Sequence, residues 1–239
     1  MPLPTITAPT YDLVLPSTGE ELQFRPFLVR EEKLLVLALE SEDPKQITTA
    51  MKTVIKNCIL TKDIKVETLP TFDIEYLFLN IRGKSVGEEI EVNVLCPDDE
   101  ETYVPVTINI DEINVKKTDG HDRLIRVDST IAMEMKYPSL EQFIKSNFDF
   151  SAENNVEQSF DLIATCISQI ITEEETWDLD SVPKDEVNAF LDQMNTNQFK
   201  LIEKFFETMP KLSHEIEVTN PNSGVKSTVV LEGLSSFFA

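Results

Sequence analysis

Apolar and polar residues alternate strictly from Glu89 to Leu95 (E-I-E-V-N-V-L), and a second run rich in strand formers follows at Tyr103, Val104, Val106, Ile108 and Ile110. A period of two puts Ile90, Val92 and Val94 on one side of a strand. Between the runs lies Cys96-Pro97-Asp98-Asp99-Glu100-Glu101, whose Pro97-Asp98-Asp99 is turn chemistry, so the two runs fold back as a hairpin. The segment before it is helical in spacing, with Ile74, Leu77, Phe78 and Ile81 on one face. Gly83 and Gly87 are expected to stop that helix and allow the tight turn into the strand. A helix that delivers a hairpin carries no chemistry of its own; it is a shape for contact.

The rest of the chain uses the same vocabulary. Residues 1–10 are rich in Pro and Thr and read as an extended arm. Asp12 to Leu15 and Glu21 to Arg25 flank the turn Pro16-Ser17-Thr18-Gly19, a second hairpin. A helix follows over Arg30 to Glu42 with Leu34, Leu35, Leu37, Ala38 and Leu39 expected inside, and another runs to about Leu60 with Asp43 as its cap and Pro44 in its first turn. The polar stretch from Asp111 to Asp122 is the expected boundary between modules 11–120 and 121–239. Beyond it, Leu124 to Tyr137 is β-like around a polar turn, and Pro138-Ser139 opens a short helix. Ser151 is expected to cap one long helix buried along Val156, Phe160, Ile163, Ala164, Ile167, Ile170 and Ile171. Two more helices follow, on Val187, Phe190, Leu191 and Met194 and on Phe199, Ile202, Phe205, Phe206 and Met209. A last hairpin turns at Asn220-Pro221-Asn222-Ser223-Gly224. Its likeness to the hairpin at Cys96 points to an internal duplication. The fold class expected is α+β, amphipathic helices flanked by antiparallel hairpins in two similar halves.

Charge narrows the partners. Twenty-one Lys and Arg face 43 Asp and Glu, a net charge of -22. Such a surface repels phosphate backbones and anionic headgroups, so neither nucleic acid nor membrane is an expected partner. The N-terminus lacks the basic and apolar regions of a signal peptide, and no apolar run approaches the roughly 18 residues that span a bilayer. Three widely spaced cysteines, Cys58, Cys96 and Cys166, form no disulfide framework and fit a reducing cytosol.

Catalytic signatures are missing from the pattern. His121 in the polar stretch and His214 at a strand start belong to no nucleophile motif and read as solvated. Six glycines do not build a phosphate loop. Cys96-Pro97 stands where a zinc knuckle would begin, but Asp99 and Glu100 occupy the completing positions. Asp98, Asp99, Glu100 and Glu101 lack the alternation of an EF-hand. No cofactor, metal or enzymatic activity is expected. Two other features stand out. Phe237 and Phe238 at the extreme C-terminus dock either in the core or in a partner. Arg82 is a cation among acids.

Several stretches together resemble a known family: P-S-T-G-E-E-L-Q-F-R-P-F-L-V-R-E-E-K-L-L-V-L-A-L-E-S, L-F-L-N-I-R-G-K-S-V-G-E, V-L-C-P-D-D-E, and N-P-N-S-G with L-E-G-L-S-S-F-F. They look like the baseplate hub proteins of T4-like tailed bacteriophages, over nearly the whole chain. The resemblance implies a hub subunit or a hub-assembly chaperone that is not an enzyme and that binds other hub and tail proteins. It implies residence in the host cytoplasm during assembly, or in the virion baseplate. Some relatives carry cysteine pairs at the two hairpin tips; here only Cys96 remains, a departure from the pattern that would hold a structural zinc. The contact residues expected are Phe237, Phe238, Arg82, Cys96, Asp98, Asp99, Glu100 and Glu101. Two other classes fit parts of the pattern. An acidic mimic of nucleic acid that blocks a host DNA-binding protein shares the charge, and a metal-assisted hydrolase would use the acidic tip.

Overall fold

The structure is a computed structural model that describes residues 6–139, 142 and 156–237. It is α+β: helices and small antiparallel sheets divided between two compact units. The first unit takes in Met1–Val66, Phe72–Lys116 and Lys211–Ala239; the second takes in Glu67–Thr71 and Lys117–Pro210.

In the first unit β1 (Tyr11–Val14) pairs with β2 (Glu21–Phe24), burying Leu22 and Phe24. Then come α1 (Val29–Glu40) and α2 (Pro44–Cys58). Asp43 caps α2 by accepting from the Lys45 N–H at 2.9 Å, and Pro44 takes the first turn, where its missing N–H costs nothing. The end of α2 is tied to the hairpin, for the Arg25 N–H donates to the Cys58 carbonyl and the Leu60 N–H to that of Gln23. The third helix, α3 (Thr71–Val86), runs straight through Gly83. That glycine does not end the helix. It is buried, and a Cβ there would stand 3.2 Å from Ile110 Cδ1, so it is small because Ile110 crosses it closely. The stop comes at Gly87, whose φ of 139° is open to glycine.

From there β3 (Glu89–Leu95) pairs with β4 (Tyr103–Asn109), with Ile90 opposite Ile108 and Val94 opposite Val104. The chain does not loosen at Asp111. A 3-10 turn (Ile110–Glu112) leads to β5 (Asn114–Lys116), and Ile113 is buried. The short I-N-V-K alternation is enough for a strand because β10 (Lys211–Thr219) pairs with it. On its other side β10 pairs with β11 (Lys226–Glu232), in the order β11-β10-β5. The closing hairpin, assigned from sequence to the second module, thus lies in the first unit. Ile216 and Val218 share a core there with Ile90, Val92, Val94 and Leu79.

The second unit is a four-stranded antiparallel sheet, β6 (Leu124–Arg126), β7 (Ala132–Met135), β8 (Ile167–Ile171) and β9 (Thr176–Asp178) in that order, with α4 (Val156–Thr165), α5 (Lys184–Leu191) and α6 (Thr196–Thr208). Its core is Met133, Met135, Leu162, Ile167, Leu191, Ile202 and Phe205. The expected long helix ends at Thr165, and Ile167 to Ile171 is a strand. The residues I-S-Q-I-I are β-branched where it matters, and β7 and β9 satisfy the backbone on both sides. The expected cap at Ser151 and most of the short helix after Pro138 fall outside the described residues. His121 is not solvated. It is buried against Phe205 and Tyr137, with Nδ1 2.9 Å from Thr208 Oγ1 and Nε2 3.1 Å from Tyr137 Oη. Burial lowers its pKa, which favours a neutral ring.

Candidate functional site

The three hairpins of the first unit share one turn. Each opens on a buried residue followed by proline: Leu15-Pro16, Cys96-Pro97 and Asn220-Pro221. In each the opening carbonyl accepts from the N–H four residues on, at Gly19 (2.8 Å), Glu100 (3.0 Å) and Gly224 (2.8 Å). Those three residues all have positive φ, of 73°, 55° and 73°. Proline supplies the fixed φ that starts such a turn, and the fifth position must be left-handed to bring the chain back. Two turns place glycine there, and the third places Glu100.

Each tip is then held by side chains. The Ser17 N–H donates to Asp73 Oδ1 at 3.1 Å, and the Ser17 hydroxyl to Asp73 Oδ2, which fastens the first turn to α3. The second and third turns hold each other. Asn220 Nδ2 donates to Asp98 Oδ1 (3.0 Å), Asp98 Oδ2 (3.1 Å) and Asp99 Oδ2 (2.8 Å). The Ser223 hydroxyl donates to Asp98 Oδ2 at 2.5 Å, and Asn222 Nδ2 to Thr102 Oγ1 at 3.0 Å. Asp99 also accepts from the Thr102 hydroxyl and from the backbone of Glu101 and Thr102. These donors hold both carboxyls below their usual range, Ser223 and Asn220 acting on Asp98 and chiefly Thr102 on Asp99. Burial, with the charges of Asp98 and Asp99, pushes the Cys96 thiol up. A fully buried, protonated thiol is poorly suited to attack or to metal ligation. Among the described residues no group of three or more His, Cys, Asp or Glu is placed to hold a metal ion.

The other expected contact residues fall elsewhere. Phe237 is 1% exposed, in a 3-10 turn (Leu234–Phe237), and fills the core beside Leu79 and Leu212. Phe238 lies outside the described residues. Arg82 is half-buried on α3, and burial lowers its pKa. Glu100 and Glu101 are exposed at the tip. The structure thus joins Cys96, Asp98 and Asp99 in one network and leaves Arg82 and Phe237 apart from it.

Of the α1 residues expected inside, Ala38 is buried, but Leu37 and Leu39 are exposed. In α1 only Glu31 and Ala38 are fully buried, while Val29 (79% exposed), Leu39 (60%), Leu37 (54%) and Val36 face outward. Glu31 anchors the helix. It pairs with Arg25 (3.1 Å) and Arg30 (2.7 Å) and accepts from the Leu28 N–H at 2.8 Å. Burial works against its charge, yet these donors bring its pKa down to about 2. The available signal was the run L-L-V-L-A-L, too apolar for a one-sided helix.

Among the described residues no helix is long and apolar enough to cross a membrane. Compared with curated proteins and with solved structures, the chain has no significant match. Compared with known families, residues 8–239 match the family described as T4 bacteriophage base plate protein. That match spans nearly all of both units, and the chain belongs to the T4 bacteriophage base plate protein family.

Proposed function

We propose that this chain is a non-enzymatic subunit or assembly chaperone of the baseplate hub, which works by binding other tail proteins in the host cytoplasm and at the tail baseplate. Helix α1 is the observation that carries this reading. It presents leucines and valines to solvent on a helix pinned at its first turn by Glu31, Arg25 and Arg30. Apolar surface held in a fixed shape gains by being covered by another protein. The net charge of -22 supports the same role, since it keeps an apolar helix from drawing copies together before the partner arrives.

The test is a tagged protein recovered from infected cells, with its partners identified by mass spectrometry. Tail proteins are expected to co-purify with the wild type, and the substitutions Val29→Asp and Leu39→Asp together are expected to release them. Mature particles probed for the protein distinguish a resident subunit from a chaperone that leaves. Recovery of host DNA-binding proteins with no tail protein overturns the proposal in favour of a nucleic-acid mimic.

A further inference from the structure

Strand β11 closes one side of the sheet β11-β10-β5, and among the described residues no strand pairs with its outer edge. The ladder to β10 is bounded by two bonds, from the Asn220 N–H to the Val225 carbonyl and from the Gly233 N–H to that of Leu212. By alternation between them, Ser227, Val229 and Leu231 bond inward to β10, and the backbone of Lys226, Thr228, Val230 and Glu232 faces outward. We infer that this edge pairs antiparallel with β11 of a second copy, about a two-fold axis at Val229, so that the two sheets become one. The surface is a different one from α1, and the inference stands apart from the role proposed for that helix.

Length and charge single out this edge. Natural sheet edges are guarded by shortness, proline, bulges or charge. Strands β1, β2, β5, β6 and β9 are three or four residues long, β4 contains Pro105, and β3 sets Glu89 and Glu91 along its length. Strand β11 is seven residues long and regular in register, with Val230 51% exposed in mid-strand. Its charges lie only at its ends, Lys226 first and Glu232 last. Symmetry singles out the occupant. In an antiparallel pair centred on Val229, each Lys226 stands opposite the Glu232 of the other copy, at both ends at once. Thr228 then faces Val230, Ser227 faces Leu231, and the half-buried Val229 meets its own counterpart. A shift of two residues either way breaks both charge pairs, and parallel pairing sets like charges side by side. The strand is self-complementary in one register. Glu232 also lies 3.5 Å from Lys211 of its own chain, and a carboxylate has two oxygens to share between two cations. The acidity of the chain does not oppose the contact locally, for this sheet holds Lys116, Lys211 and Lys226 against Glu215, Glu217 and Glu232. Charges farther away are screened over about 8 Å at physiological salt.

Sedimentation equilibrium of the full chain at physiological salt tests this. The wild type is expected to dimerise as its concentration rises. Lys226→Glu is expected to weaken the dimer about tenfold or more by setting glutamates face to face, and Glu232→Lys to do the same with lysines. An equimolar mixture of the two variants is expected to restore the dimer, because opposite charges then meet again at both ends. Both positions are exposed, so the thermal midpoint of each variant is expected to stay close to that of the wild type. Cross-linking reads the register. Val229→Cys is expected to give a disulfide-linked dimer in mild oxidant, since facing residues of a non-hydrogen-bonded pair lie about 4.5 Å apart at Cα. Thr228→Cys, set two residues away from its own counterpart, is expected to cross-link about tenfold more slowly. The native cysteines are buried and stay out of the reaction. A monomer at every concentration overturns the inference, as does a dimer indifferent to both charge substitutions or a mixture that stays monomeric. So does Thr228→Cys cross-linking as readily as Val229→Cys, because Val229 is then not the axis.

Discussion

Asn220 does more for the first unit than its position in a turn implies. Its side chain is 1% exposed and donates to two carboxylates that lie more than 120 residues earlier in the chain. Its Oδ1 accepts from the Asn222 N–H at 2.8 Å, so the amide also shapes its own turn. Asn220→Ala is expected to cost roughly 1–3 kcal/mol, read from the midpoint of chemical denaturation. An unchanged midpoint would mean that something else holds the tips. Asp98 and Asp99 have depressed folded pKa values, so their contribution is complete above the ordinary carboxylate range and is lost as acid carries them through the depressed values. Glu75 runs the other way. Burial pushes its carboxyl up to about 7, against the donation from the Leu234 backbone. A raised folded pKa means stability that is present in full below the unfolded value and lost as pH rises through about 7. Glu75→Gln keeps the acceptor and removes the charge, so it is expected to raise stability by roughly 1–3 kcal/mol near pH 8 and hardly at all near pH 4. Thermal melts at the two pH values check this. Neither Asn220 nor Glu75 was legible as a buried partner from its neighbours in sequence, because each is defined by a contact from another element.

At the scale of elements, the recurring turn is the informative unit. Leu15-Pro16, Cys96-Pro97 and Asn220-Pro221 open the same geometry, and only Glu100 meets the left-handed fifth position with a side chain. Glu100→Gly is expected to stabilise the protein by about 0.5–1 kcal/mol, because a Cβ is unfavourable there while glycine is not. Equilibrium unfolding of the single variant measures it, and a loss of stability would show that Glu100 makes a compensating contact. The strands and their turns could be read from alternation and proline, since period two and a fixed φ are properties of the local chain. Helix ends were less readable. Gly83 has the look of a helix stop and is a close crossing under Ile110, and the strand Ile167–Ile171 lies inside an apparent helical stripe. In both cases the deciding neighbour, Ile110 or the strand β7, comes from outside the segment.

For the molecule as a whole, the chain leaves the first unit at Lys116 and returns at Lys211, and those two residues are direct partners in the antiparallel ladder of β5 and β10. The second unit is therefore inserted, but for residues 67–71, where a hairpin turn could stand. Replacing residues 117–210 by Asn-Gly, the dipeptide suited to a two-residue hairpin, is expected to leave a cooperatively folding first unit. Circular dichroism and a single denaturation transition would show it; a chain without a transition would mean that the first unit does not fold alone. What the amino-acid order determined unaided was the list of parts: alternating strands, amphipathic helices, proline turns, an acidic surface and the kinship they carry. Tertiary structure alone decided that the last hairpin completes the first unit, that Asp98 and Asp99 are ordered by Asn220 and Ser223, that Phe237 is core, and that α1 stays uncovered. Periodicity is written within a few neighbouring residues, whereas burial and pairing depend on which distant residues fill the space on the other side.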